Sequence, residues 1–402
     1  MYILGLNIGH NATATLLKNG KIIVCVNEER FSRVKNHTGI PLKAIKYILE
    51  DQKIRLEEID YVVLDYGFAN FENKDFTKHF MDSYTKKSRY NRMVSNLAYQ
   101  FPNLFNKYYS FREAIKNLNK SKRNKKFIQE MAGILKISPE KILTSNHHLL
   151  HALSTCFNLT DEKWLIFTLD GEGSGLCATL NVWDGKNLKV ISKSRKIASL
   201  GYLYSLATLY LGMKPNQHEF KVMGLAPYAK KDKVDELYNS KFKDLIKINE
   251  KLEFKSKFNM AFSDIFFEKE MKFNRFDNIA GAVQKLTEEL TEEWVKKAMK
   301  KTGVHNIALS GGVFMNVKVN QKILELPEVK KLFVMPSCGD ESNAIGACLY
   351  GYKKYCEENK VEFKPKPIED LYLGPEYDDE YIENMIRRDN LQKKYIIKKL
   401  QI

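Results

Sequence analysis

A strand, a polar glycine-bearing loop, a hairpin and a further strand occur twice in this chain, roughly 160 residues apart. The first copy opens with the apolar run Ile3 to Asn7, followed by the loop Ile8-Gly9-His10-Asn11. It continues through Ala12 to Leu17, the Asn19-Gly20 turn and Lys21 to Asn27. Alternating apolar positions around an Asn-Gly pair predict a two-residue hairpin, because both turn residues must take positive φ. The second copy opens with Trp164 to Leu169 and Asp170, passes the loop Gly171-Glu172-Gly173-Ser174-Gly175, and returns through Leu176 to Trp183, Asp184-Gly185 and Leu188 to Ser192. Each copy must bury its sheet under helices, so the repeat predicts two lobes of like construction.

Such a repeat is the signature of an α/β chain with the duplicated two-lobed fold of the actin-like ATPases (ASKHA, ribonuclease H-like). Paired loops then face each other across a cleft, and their glycine amides can approach an anion closely. The expected first lobe covers residues 1–162 and the second 163–365. Within the first, Pro41 to Asp51 is an amphipathic helix with proline near its start, and Tyr61 to Leu64 is a strand. Residues 70–135 read as a helical insertion rich in Phe and Tyr. Between Phe71 and Glu130 there are 14 Lys or Arg against 5 Asp or Glu, so much of the net charge of +16 sits there. Such a cluster can attract polyanions, or simply form a solvated face.

A length of 402 residues favours two domains. Hydrophobic content of 44% and mean hydropathy of −0.40 fit a soluble globular protein, and no apolar run approaches the roughly 20 residues a membrane span needs. Met1-Tyr2-Ile3-Leu4-Gly5 carries no basic leader, so a cytoplasmic location is expected. Six cysteines without a C-x-x-C pair suit neither a disulfide framework nor a zinc ribbon, and are expected to be reduced and buried.

The chemistry concentrates at Ser145-Asn146-His147-His148-Leu149-Leu150-His151-Ala152. Lys141 to Ser145 reads as a strand and His147 to about Phe157 as a helix, which puts His147 and His151 at i and i+4 on one face. Two imidazoles one turn apart can hold a divalent cation together, although a helix whose histidines are satisfied by local hydrogen bonds would look the same. No glutamate lies between them, so a zinc protease lacks its general base. His148 points about 100° away around the helix. Asp170 and Asp340 each follow a strand, and with the histidines would form a mixed nitrogen and oxygen set suited to Fe(II), Mn or Zn. Ser310-Gly311-Gly312, between the strand Asn306 to Leu309 and the helix carrying Asn320, presents amides suited to phosphate or ribose.

Taken in order, these features resemble the NodU/CmcH/TobZ-type O-carbamoyltransferases, whose main domain is similar to the Kae1/TsaD proteins. The resemblance is carried by the first loop with His10, Glu28-Glu29-Arg30-Phe31-Ser32-Arg33-Val34-Lys35, the histidine stretch, Asp170-Gly171, Lys221 to Tyr228 (KVMGLAPY), Ser310 to Val313 with Asn316, and Gly339-Asp340-Glu341. It implies transfer of a carbamoyl group from carbamoyl-adenylate, made from ATP, to a hydroxyl of a sugar-containing or other small-molecule acceptor. It further implies His147, His151, Asp170 and Asp340 as metal ligands, and His10 as general base. Ser310, Gly311, Gly312 and Asn316 would cradle the adenylate, with Lys221 near its phosphate. In the relatives a YrdC-like domain follows, and residues 366–402 resemble its beginning, so a separate YrdC-like protein is an expected partner. A homodimer is compatible with the family, while neither nucleic acid nor membrane is an expected partner. Rival readings are a Kae1/TsaD-like tRNA threonylcarbamoyladenosine subunit, a non-catalytic nucleotide-binding module of the same fold, and a sugar kinase.

Overall fold

The computed structural model describes residues 1–65, 76–159 and 162–399. Twelve strands follow in chain order: β1 (Tyr2–Asn7), β2 (Thr13–Lys18), β3 (Lys21–Asn27), β4 (Tyr61–Asp65), β5 (Ile142–Ser145), β6 (Trp164–Gly173), β7 (Leu176–Trp183), β8 (Leu188–Arg195), β9 (Ile246–Ile248), β10 (Phe254–Ser256), β11 (Asn306–Ser310) and β12 (Lys331–Val334). The first sheet has the order β3-β2-β1-β4-β5 and the second β8-β7-β6-β11-β12. In each, three strands form an antiparallel meander and the next two join it in parallel. Two sheets with one order and one set of directions make this the duplicated actin-like fold expected from the repeat.

Period-two side chains let the first sheet bury both faces. Ile3 and Val63 join one core, whereas Leu4, Leu6, Val62 and Leu64 join the other under the helices Leu42–Asp51 and Lys120–Leu135. The helix that ends each half covers the sheet of the opposite half. His147–Thr155 lies against β6 and β11, Ser342–Asn359 lies against β1 and β4, and the two helices pack on each other. Glycine permits this crossing: a Cβ on Gly346 would stand 1.9 Å from the Leu150 carbonyl oxygen, and one on Gly5 would stand 2.0 Å from that of Ala344.

Two local expectations change. The segment from Gly171 is not all loop, since β6 runs through Gly173 with its pairing to β7 shifted between Leu169 and Gly173. The polar run after β3 contains a short helix, Glu29–Ser32, because the buried Glu28 carboxylate accepts the Ala44 and Lys43 backbone N–H groups at 2.8 and 3.3 Å and draws the chain in. Between β8 and β11 the sequence reading had no element to offer, and the longest helix of the described residues, Phe276–Thr302, lies there.

The insertion forms four helices, Phe76–Thr85, Arg89–Gln100, Pro102–Leu118 and Lys120–Leu135; residues 70–75 of the expected segment lie outside the described residues. Its inner face rests on the second lobe. Lys87 pairs with Asp264, Tyr84 Oη donates to the Ala261 carbonyl at 3.1 Å, and the Tyr99 and Phe258 rings meet edge-on at 5.0 Å. Near the carboxyl end, the Cys25 N–H donates to the Leu373 carbonyl at 2.9 Å, and the helix Asp379–Arg388 buries no residue. Among the described residues no helix is long and apolar enough to cross a membrane.

Candidate metal centre and cleft

Asn146 starts the histidine helix by accepting the Leu149 N–H on its side chain, which is the capping expected of Asn before a helix. Helical spacing then stacks the His147 and His151 rings with centroids 4.7 Å apart and brings their Nε2 atoms to 3.1 Å. Asp170, on β6, places Oδ2 3.2 Å from His147 Nε2. Asp340, in the turn before the helix Ser342–Asn359, places Oδ1 3.4 Å from both Nε2 atoms. One ligand atom from each of these four residues lies within 4.8 Å of the other three. All four side chains are buried or nearly so.

The surrounding groups turn the imidazoles toward the shared point. His147 Nδ1 is 2.6 Å from Asp65 Oδ2, a carboxylate at the end of β4, so in the neutral ring that nitrogen carries the proton and Nε2 presents its lone pair. For His151 the partner is Ser342. Its hydroxyl donates to the Gly339 carbonyl at 2.9 Å, which leaves its oxygen to accept from His151 Nδ1 at 3.3 Å. Asp170 Oδ1 accepts the Gly312 N–H at 3.2 Å. Gly173 is required beside the ring, because a Cβ there would fall 2.0 Å from His147.

Charge shows what the cluster suits. Burial lowers the affinity of His147 for a proton, but the Asp340 and Asp65 carboxylates outweigh it and hold the imidazole well above its ordinary pKa. Burial likewise opposes ionisation of Asp340, yet His10 and His147 hold its carboxyl well below the usual range. Asp340 Oδ1 is buried and accepts no hydrogen bond from the described residues. Three carboxylates around two imidazoles, with Asp340 Oδ1 and Asp65 Oδ1 unmatched among the described residues, make a site that a divalent cation fits. His148 stands outside it: its Nδ1 meets Thr168 Oγ1 at 2.8 Å, and burial, with His147 and His151 nearby, pushes its pKa down to about 3.

The cluster borders a 990 Å³ cleft between the lobes, lined by His10 and Glu29 on one side and by Asp170, Gly312, Asn316 and Asp340 on the other. His10 Nδ1 lies 3.1 Å from Asp340 Oδ2. Ser310 is buried with its hydroxyl 3.4 Å from His151 Nδ1, so it faces the histidines, and the Gly311 N–H donates to the Cys338 carbonyl at 3.0 Å. Asn316 accepts the Lys318 and Val319 N–H groups and donates to Gln284 at 2.8 Å. Lys221 stands apart, exposed, with Nζ 3.2 Å from His218 Nε2. Sequence reasoning missed Asp65 and also Asn343, whose amide lies 3.1 Å from His147 Nδ1. The only available signal for Asp65 was its place at the end of a parallel strand, like Asp170.

A family model described as the carbamoyltransferase N-terminus matches residues 2–349. An uncharacterised protein of Synechocystis is 28% identical, covering 98% of this chain and 64% of its own. The nodulation protein NolNO of Sinorhizobium fredii is 26% identical over 91% of this chain and 49% of its own. The chain thus spans about half to two thirds of the length of these curated relatives. Among solved structures, full-length HypF in its phosphate- and nucleotide-bound form is 14% identical, with a TM-score of 0.45 over 90% of this chain and 56% of that one. With the match running from β1 to the last long helix of the second lobe, the chain belongs to the carbamoyltransferase family.

Proposed function

We propose that this chain transfers a carbamoyl group from carbamoyl-adenylate to a hydroxyl of a small-molecule acceptor, in the cleft where His147, His151, Asp170 and Asp340 would hold a divalent cation. The observation that carries the reading is the convergence of four ligand atoms, drawn from both halves of the chain, at the edge of the cleft inside the region the family model matches. Two imidazoles and two carboxylates suit Fe(II), Mn(II) or Zn(II), and such an ion supplies Lewis-acid polarisation of a donor oxygen.

The chain's own residues would do the rest. Asp340 Oδ2, 3.1 Å from His10 Nδ1, would hold the His10 ring at the edge of the cleft. An imidazole nitrogen at the cleft can take the acceptor's hydroxyl proton. The Gly312 amide and Asn316 border the space where the adenylate would lie. The mixed anhydride is already activated, so no covalent nucleophile is needed.

The test is metal quantification on protein purified without chelator, with a transfer assay supplied with preformed carbamoyl-adenylate. His147→Ala and His151→Ala should each lose most of the bound metal, and His10→Ala should keep the metal while losing turnover by roughly 100-fold or more. Unchanged metal content in both alanine variants would refute the metal site, and full turnover in the His10 variant would refute the base.

A further inference from the structure

The insertion has an outer face that the cleft does not use. Along Pro102–Leu118 and the residue before it, Phe101, Leu104, Tyr108, Phe111 and Ile115 recur at spacings of three and four, which puts them in one stripe. In a folded chain that stripe would normally face a core. Here it faces outward: Leu104 is 68% exposed and Phe111 67%, and the other three are exposed as well. The inner face of the same helix is satisfied, with Tyr109 against Phe262 at 6.0 Å and Ser110 accepting from Arg195 at 2.8 Å. The preceding helix adds exposed Tyr90, Met93 and Leu97.

Basic side chains frame these apolar ones. Lys107 and Arg112 flank the stripe, and Lys122, Lys125 and Lys126 are exposed on the helix that follows. A second copy is a poor occupant, because in either orientation Lys107 and Arg112 would meet their own kind. One acidic helix could cover one seam, but the apolar and basic surface extends over three successive helices. Aromatic and aliphatic side chains ringed by lysine and arginine are what an anionic bilayer surface takes, the rings entering the headgroup region and the cations meeting lipid phosphates.

We propose that the outer face of helices Arg89–Gln100, Pro102–Leu118 and Lys120–Leu135 docks the protein on an anionic lipid surface. Docking of this kind needs no spanning segment, so it is compatible with the lack of one among the described residues. It is independent of the metal site and of the transferase reading.

The experiment is co-sedimentation of the full chain with phosphatidylcholine vesicles and with vesicles containing about 30% phosphatidylglycerol. Wild type should pellet with the anionic vesicles alone. Leu104→Ser/Phe111→Ser, which keeps every charge, should bind at least about ten-fold more weakly, as should Lys107→Glu/Arg112→Glu. Circular dichroism and metal content matching wild type show that the variants are folded. The proposal is overturned if wild type stays in the supernatant or if the serine variant binds as well as wild type. It is equally overturned if sedimentation velocity shows a dimer that the serine variant abolishes, or if a short RNA duplex binds this face more tightly than the vesicles and displaces them.

Discussion

Asp65 Oδ2 and His147 Nδ1 lie 2.6 Å apart with both side chains buried, joining the end of one strand of the first sheet to the first residue of the histidine helix. The carboxylate fixes the ring's tautomer and raises the basicity of the nitrogen that faces the cluster. Asp65→Asn keeps the shape and removes that charge. It should weaken metal affinity by about 10- to 100-fold, read by competition with a chromogenic chelator. Affinity equal to wild type would mean that Asp65 only fills space.

The lobes are clamped where the two terminal helices cross at Gly346. Gly346→Ala forces a methyl into the Leu150 carbonyl, backbone against backbone, so neither side can yield cheaply. Despite the better helix propensity of alanine, the change should cost about 2–4 kcal/mol in urea unfolding. Gly133→Ala is the control, since it sits in a helix with nothing within 4 Å, and it should add about 0.5–1 kcal/mol. A neutral Gly346→Ala would show that the helices can slide apart without loss.

Lys87 and Asp264 tie the insertion to the second lobe, both side chains largely buried. Burial already raises the Asp264 pKa, with Lys87 pulling it back, so removing the cation strands a carboxylate. Lys87→Met should destabilise by about 3–5 kcal/mol near pH 8. An acid whose folded pKa is raised favours the protonated native state, so the loss should shrink as pH falls toward about 5. Lys87→Met/Asp264→Leu should recover most of the stability, and a double variant no better than the single one would exclude the pair as the cause.

The cysteines should be silent in the native protein. Five are buried and Cys25 is partly so, and all six are free thiols. Burial pushes the Cys25 thiol up to about 11 and the Cys338 thiol up to about 12, against the hydrogen bond from Thr15 in the first case. At about pH 8 roughly one Cys25 in a thousand is then thiolate, against about a quarter for a free cysteine. Ellman titration should find six thiols in denaturant and almost none before it, and the native rate for Cys25 should climb about ten-fold per pH unit up to about pH 10. Rapid native labelling of several thiols would contradict the burial.

Local pattern was enough to read much of this molecule. Period-two runs with an Asn-Gly turn marked the first hairpin, and its recurrence at Trp164 revealed the duplication that the matching sheet orders bear out. The four-residue spacing of His147 and His151 is a property of any α-helix, so their shared face followed once the helix was read. That Asp170 and Asp340 reach the same point was inferred from their places after strands and from the resemblance, and the structure brings all four ligand atoms together.

What the sequence by itself determined, then, is everything that depends on neighbours in the chain: strand and helix periods, the turns, the basic character of the insertion, and the family. What only the tertiary structure decided is everything that depends on closure of the lobes. Asp65 meets His147 across 82 positions, Asn343 meets it across 196, and Lys221 stands apart while Ser310 turns inward. The outward turn of the Phe101–Ile115 stripe belongs here too, because helical spacing gives an apolar face without saying whether anything covers it. These relations are set by which sheet each helix packs on, and helix spacing or strand alternation carries no record of partners so distant in sequence.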